Sequence, residues 1–259
     1  MSADPIIVET ARRIFQDLAD PQTIHSMDNK NWRVALWQAL AEAGLTLAWC
    51  SEAKGGAGAS MADGFAIQRV VGEFATPIPL AETLLAGWLL EQTGIDTPSG
   101  PMSVAPINEG IDLNLDDEGR LYGVVERVPF ASETEHLVTL CKSSVEVKVV
   151  LVETAACGVA CGTNVAGEPR DQVSFEAVRP LHVAHVPAGF DPLKLKLMGA
   201  LMRATQMTGA IDTLLTMCIS YSQERVAFER AIAKFQVIQH NLALMAGELS
   251  AALAATNAA

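Results

Sequence analysis

Residues 4–19 place Ile7, Ala11, Ile14, Phe15 and Leu18 three and four apart, the spacing of one face of a helix. Asp20-Pro21 ends it, because a residue preceding proline avoids the helical region. After a loop through Asp28-Asn29-Lys30-Asn31, rich in cap-forming side chains, Trp32, Ala35, Leu36, Ala39, Leu40 and Ala43 stripe a second helix that stops at Gly44. Ser60-Met-Ala-Asp63 has the spacing of a capping box and starts a third helix, with Phe65, Val70, Val71 and Phe74 apolar, broken at Pro77-Ile-Pro79. A fourth, over 80–93, carries Leu84, Leu85, Trp88 and Leu89 and is capped by Gly94. Residues 1–95 thus read as an all-helical domain, and Asp96-Thr-Pro-Ser-Gly-Pro101 as the linker after it.

The period then changes. Val124 to Val128, Leu137 to Cys141, Val145 to Val152 and Val173 to Phe175 are short β-branched or alternating runs. Glu146-Val-Lys148-Val alternates polar and apolar, as a half-buried strand does. Asp116-Asp-Glu-Gly119 is a turn between two such runs, and Gly162, Gly167 and Pro169 punctuate the remainder. The segment 102–188 is expected to form a small antiparallel β-domain, a barrel or sandwich.

From Pro192 the helical period returns. Met198, Leu201, Met202, Thr205, Thr208, Ile211, Leu215 and Cys218 form one stripe up to Tyr221, and Phe235, Ile238, Leu242, Met245, Leu249 and Leu253 form another. Two long amphipathic helices joined by a short turn make an antiparallel hairpin with one flank of each left over. The fold class is therefore multi-domain α and β: an N-terminal all-α domain, a central antiparallel β-domain, and a C-terminal helical-bundle domain, 192–259, represented by two long helices.

Composition narrows the chemistry. With 259 residues, half of them apolar and 19% charged, the chain supports more than one packed domain. Its formal net charge of −12 argues against nucleic acid, which needs clustered Lys and Arg. The N-terminal residues lack a basic segment followed by an apolar run, and no stretch has the length of a membrane span, so a cytoplasmic protein is expected. Five cysteines, Cys50, Cys141, Cys157, Cys161 and Cys218, fit neither a disulfide framework nor a zinc site and read as reduced thiols. His182 and His185 read as a strand end facing water rather than as metal ligands. Lys54-Gly55-Gly56-Ala57-Gly58 lacks the spacing of a phosphate loop or dinucleotide fingerprint and reads as a tight turn needing positive φ.

The most informative stretch is Tyr221 to His240, where the two long helices meet. It resembles the acyl-CoA dehydrogenase family, whose third domain carries Tyr-x-x-x-Arg-x-x-Phe-Gly-x-x-Ile-x-x-Phe-Gln-x-x-Gln. Tyr221, Arg225, Phe228, Ile232, Phe235, Gln236 and Gln239 stand in register, and Glu229 replaces the glycine. Trp37-Gln-Ala-Leu-Ala-Glu-Ala-Gly44-Leu followed by Gly55-Gly56-Ala-Gly58, with Glu52 nearby, is similar to the family's N-terminal helix and Glu-x-Gly-Gly-x-Gly turn.

The resemblance implies FAD-dependent α,β-dehydrogenation of an acyl-CoA thioester. A glutamate removes the α-proton and the β-hydrogen leaves as hydride to FAD. It implies that Arg225 contacts the FAD pyrophosphate, generally of a neighbouring subunit, with Phe228 by the flavin or adenosine portion, Gln236 at the adenosine end and Gln239 a further candidate. Implied partners are an acyl-CoA substrate, subunits in a homodimer, homotetramer or heteromer, and an electron-transfer flavoprotein as electron acceptor.

Three departures qualify this. Ser103-Val-Ala-Pro106-Ile-Asn-Glu-Gly110 stands where the family has a Thr-Glu-Pro-x-x-Gly-Ser-Asp loop. Glu229, if left-handed, costs about 1–2 kcal/mol relative to glycine. No carboxylate fills either of the family's base positions: the stretch Leu197 to Arg203 has none, and the later helix lies past Ala259. Glu224 and Glu248 are not assigned, and no catalytic residue is named. A fragment of a full-length enzyme is the favoured explanation. The other is a natural non-catalytic, FAD-binding or structural subunit of a heteromer, similar to the short-middle-domain members acting on steroid side chains.

Overall fold

The structure, a computed structural model, describes residues 3–20, 22, 24, 31–107, 111, 113–144 and 146–259, with Asn31 by its backbone alone. Pro21, most of the loop before the second helix, residues 108–110 of the Ser103–Gly110 stretch, and Val145 lie outside the described residues.

Six α-helices appear among the described residues: α1 (Pro5–Leu18), α2 (Asn31–Glu42), α3 (Met61–Glu73), α4 (Leu80–Thr93), α5 (Pro192–Glu224) and α6 (Gln236–Ala258). Their starts follow local chemistry. Asp4 caps α1 by accepting from the Ile6 amide at 2.8 Å, with Pro5 in the first turn where its missing N–H costs nothing. The expected capping box opens α3: the Ser60 amide and hydroxyl both donate to Asp63 Oδ2, at 2.8 and 2.6 Å. Gly94, at φ 74°, ends α4 in the left-handed region.

The chain divides into two compact units. One comprises residues 1–36, 65–76 and 201–259; the other comprises 37–64 and 77–200.

In the first unit, Phe15 of α1 is fully buried and stacks on Phe74, just past the end of α3, with ring centroids 5.8 Å apart. Arg12 holds both oxygens of Glu73, each at 2.9 Å, a planar two-bond match of guanidinium and carboxylate. That hydrogen-bonded partner raises the Arg12 pKa further. The α3–α5 crossing is unusually close. A Cβ on Gly72 would lie 1.9 Å from the Gln206 carbonyl oxygen, and one on Gly209 would lie 2.0 Å from that of Arg69. Backbones can meet like this only where both helices lack a side chain. One turn away, Gln206 Nε2 donates to Gln68 Oε1 at 2.7 Å.

In the second unit, strands β1 (Met102–Val104), β2 (Asn114–Leu115), β3 (Leu121–Pro129), β4 (His136–Lys142), β5 (Val147–Glu153), β6 (Gly158–Ala160), β7 (Arg170–Val178) and β8 (His182–His185) form one eight-stranded sheet. The order is β6-β7-β3-β2-β4-β5-β8, with β1 alongside β4. Pairing is antiparallel except for β1 and β2 with β4. The sheet is thus mostly antiparallel.

The alternation of Glu146 to Val149 does not extend into a half-buried strand. Val149, Val150, Leu151 and Val152 are all buried, so both faces of β5 are covered. Val150 and Val152 join the sheet's own apolar core with Phe175 and Leu121. Helix α4, buried from Leu80 to Leu90, packs on β1, β4 and β5. Thr83 anchors it: its hydroxyl bridges the Met102 amide at 3.0 Å and the Met102 carbonyl at 3.3 Å.

The glycine-rich turn is a structural turn, as read from the sequence. Gly55 and Gly58 have φ of 78° and 59°. A Cβ on Gly56 would meet the Cys50 carbonyl at 2.2 Å.

Candidate cofactor-binding site

The stripe on α5 buries Met198, Met202, Thr205, Thr208 and Leu215, whereas Cys218 is exposed. On α6, Leu249 is buried and Ile238, Leu242, Met245 and Leu253 are half-buried, as is Phe235 just before its first turn. The junction between these helices is more than the short turn the pattern suggested. After Glu224 the backbone forms a two-stranded hairpin, β9 (Val226–Ala227) with β10 (Arg230–Ala231), and then a single 3-10 turn, Ile232–Lys234. The Ile232 amide donates to the Arg225 carbonyl at 2.9 Å, extending the ladder by one pair. The Arg225 amide donates to the Tyr221 carbonyl at 2.8 Å, joining the hairpin to the last turn of α5.

The two residues at the hairpin tip are Phe228 and Glu229, with φ of 51° and 63°. Positive φ at both central positions is the pattern of a type I′ turn, whose twist suits paired strands and which favours Asn and Gly. Glu229 therefore does adopt the left-handed conformation that its replacement of a glycine implied. The turn keeps this shape because its flanks are braced. Phe228 meets Phe235 edge-on with centroids 6.2 Å apart. The Arg230 guanidinium lies 4.2 Å from the centre of the Phe235 ring. Gln239 Nε2 donates to the Ala233 carbonyl at 3.0 Å across the 3-10 turn.

Within this frame the sequence-derived candidates are all near one another in the chain and the fold. Arg225 is exposed at the root of the hairpin and forms no ion pair among the described residues. Phe228 is 90% exposed at its tip. Gln236 is exposed in the first turn of α6, and Gln239, one turn on, spends one amide hydrogen on the brace just described. The chemistry of this donor set fits a phosphate-bearing cofactor with an aromatic base: a free guanidinium for phosphate oxygens, an open aromatic face and an amide. The Arg230–Phe235 stack escaped the sequence reading. The signal available for it was the glycine position held by Glu229, which marks a left-handed turn and hence a possible hairpin.

Elsewhere, His182 and His185 are exposed on the edge strand β8, and His185 Nδ1 lies 2.8 Å from Glu146 Oε1. No group of three or more metal-type ligands occurs among the described residues. Glu224 and Glu248 are both exposed. No helix among the described residues is long and apolar enough to cross a membrane.

The fold is that of solved acyl-CoA dehydrogenase structures. A variant of the Tcur3481–Tcur3483 steroid ACAD superposes with a TM-score of 0.76 at 24% identity, covering 97% of this chain and 77% of that one. The ChsE4–ChsE5 complex from Mycobacterium tuberculosis gives a TM-score of 0.84 at 19% identity, covering 98% of this chain and 76% of that one.

Sequence comparison carries the likeness into the region of the motif. Residues 196–259 match the family model "Acyl-CoA dehydrogenase, C-terminal domain". A curated relative, the acyl-CoA dehydrogenase IpdE2 of Mycolicibacterium smegmatis, is 24% identical over 246 residues, which is 92% of this chain and 70% of the relative. The resemblance to the acyl-CoA dehydrogenase family is therefore borne out, by fold along nearly the whole chain and by sequence in its C-terminal part.

Proposed function

We propose that this chain is a subunit of an FAD-dependent acyl-CoA dehydrogenase, organised as 1–95, 102–188 and 192–259, whose helix–hairpin junction holds the FAD diphosphate. The observation that carries this is Arg225: exposed, unpaired among the described residues, and fixed at the root of a braced hairpin within the motif that resembles the family's. Its guanidinium offers two parallel donors to phosphate oxygens. Phe228 offers an aromatic face to the flavin or adenosine portion, and Gln236 and Gln239 offer amide groups to the adenosine end. Bound FAD supplies the two-electron acceptor for the β-hydride of an acyl-CoA thioester.

A second reading, a non-catalytic subunit of a heteromer, rests on the absence of a carboxylate from Leu197 to Arg203 and on the exposed positions of Glu224 and Glu248. In that reading the chain contributes Arg225 and its neighbours to an FAD site, while a related subunit brings the base. The ChsE4–ChsE5 complex, an assembly of two different chains, is compatible with such an arrangement. Either oligomer would work in the cytoplasm and pass electrons on to an electron-transfer flavoprotein.

The test is flavin content. The protein, alone or coexpressed with a related subunit, should purify with FAD, and Arg225→Ala should release it, losing a charge-assisted bond of about 1.5–3 kcal/mol. Colourless protein under both conditions would sink both readings. Bleaching of the flavin of the isolated chain on anaerobic mixing with an acyl-CoA would eliminate the second.

A further inference from the structure

Arg225 is not the only unpaired cation on the hairpin. In the β9–β10 pairing, Arg230 faces Ala227 and Ala231 faces Val226. The Ile232 amide bonds the Arg225 carbonyl, so Arg225 and Ile232 form the next pair. Side chains two apart on a strand share a face, and directly paired residues share it too. Arg225, Ala227, Arg230 and Ile232 therefore belong to one face of the ribbon, and Val226 and Ala231 to the other. Arg225 and Arg230 are diagonal neighbours on that face, and such diagonals separate by about 7–8 Å. The other two side chains of that face, Ala227 and Ile232, are uncharged.

Two like charges at this spacing repel unless an anion lies between them. Neither arginine has an ion-pair partner among the described residues, although acidic groups outnumber basic ones 30 to 18 in this chain. Arg230 is also pre-positioned. Its guanidinium lies over the Phe235 ring at 4.2 Å, and Phe228 closes on the same ring at 6.2 Å. Stacking occupies a guanidinium face and leaves its N–H edge available for oxygen acceptors. A ligand with two linked phosphates would offer one to each fork.

We propose that Arg230 is a second diphosphate-binding cation on this hairpin, acting with Arg225 on a ligand that carries an adenosine diphosphate moiety. The proposal rests on the reading of Arg225 given above. Both FAD and coenzyme A contain that moiety, so the experiment separates them.

FAD binding is titrated by flavin fluorescence, and coenzyme A binding by calorimetry, for the purified wild-type assembly and for Arg225→Ala, Arg230→Ala and Arg230→Gln. The glutamine keeps a stem and a planar head over Phe235, and so separates loss of charge from loss of the stack. Both position-230 variants should weaken FAD binding about tenfold, the scale of one charge-assisted contact, and Arg230→Gln should do so with the hairpin's brace on Phe235 kept. If Arg230→Gln binds both ligands like wild type while Arg225→Ala has lost FAD, Arg230 is no ligand and the reading of Arg225 stands. If both positions leave FAD and coenzyme A binding intact, both ideas fall. If the position-230 variants weaken coenzyme A alone, the second cation stands and its diphosphate is that of coenzyme A rather than FAD.

Discussion

Gly72 faces the carbonyl of Gln206 so closely that a Cβ on it would stand 1.9 Å from that oxygen. Gly209 returns the relationship one turn further along α5, against Arg69. The two glycines let α3 and α5 cross at backbone distance, and in both cases the obstacle is main chain, which cannot rotate away.

Gly72→Ala and Gly209→Ala should therefore each destabilise the protein, by about 1–3 kcal/mol or more from overpacking, despite alanine's better helix propensity. Gly247→Ala is the control. It lies in α6 with nothing within 4 Å of its would-be Cβ, and should stabilise by about 0.5–1 kcal/mol. Urea unfolding of the three variants gives the comparison. Equal behaviour at all three positions would contradict the close crossing.

Glu229→Gly should stabilise the hairpin. Glu229 holds φ 63°, a region that costs a side-chain-bearing residue about 1–2 kcal/mol and glycine almost nothing. The gain is partly offset by glycine's greater freedom in the unfolded chain, leaving a net gain of about 0.5–1 kcal/mol. A melting temperature that falls in Glu229→Gly would mean that the carboxylate has a structural partner.

Thiol reactivity should split the cysteines. Cys161 and Cys218 are exposed and should react with a disulfide reagent in the native protein. Burial pushes the Cys141 and Cys157 thiols up to about 11 and also raises that of Cys50, so these three lack thiolate at neutral pH and should react slowly until the protein unfolds. The same shifts give a pH signature. A free thiol ionises near pH 8.5, so the unfolded chain loses its protons first. The stability contributed by the protonated native thiols is full below about pH 8.5 and is lost as pH rises toward 11. Cys141→Ala should flatten that alkaline decline.

Asp116 governs the acid side of one turn. Its Oδ1 accepts from the amides of Glu118 and Arg120, at 2.9 and 2.8 Å, and its Oδ2 accepts from Arg120 Nε at 2.9 Å. These bonds, the Arg120 amide first, hold its carboxyl below the usual range. A depressed carboxyl pKa contributes stability above about pH 4, the unfolded value, and loses it as pH falls through the folded one. Asp116→Asn should thus be less stable than wild type at neutral pH, with the difference closing below pH 4. A gap that stays constant with pH would assign the loss to turn geometry instead.

The sequence by itself determined the local elements and pointed to the candidate site. Periodicity marked α1 to α6, because apolar residues three and four apart can be buried together only on a helix. Ser60-x-x-Asp63 marked a helix start, and Gly55 and Gly58 a turn. The register of Tyr221, Arg225, Phe228 and Gln236 located the candidate cofactor site, because those residues lie within a few positions of one another in the chain.

What depended on residues distant in sequence was decided only by tertiary structure. The alternation of Glu146 to Val149 implied one wet face for β5, but α4 covers what local pattern left open. Gly72 and Gly209 carry no local signal of their crossing, since close approach is a property of two helices and is written in neither alone. At the site, Glu229 announced a strained turn, but only the folded hairpin pairs Arg230 with Ala227, stacks it on Phe235 and puts it on the same face as Arg225. Strand pairing sets which side chains share a face, and five positions along the chain give no hint that two like charges will be held side by side.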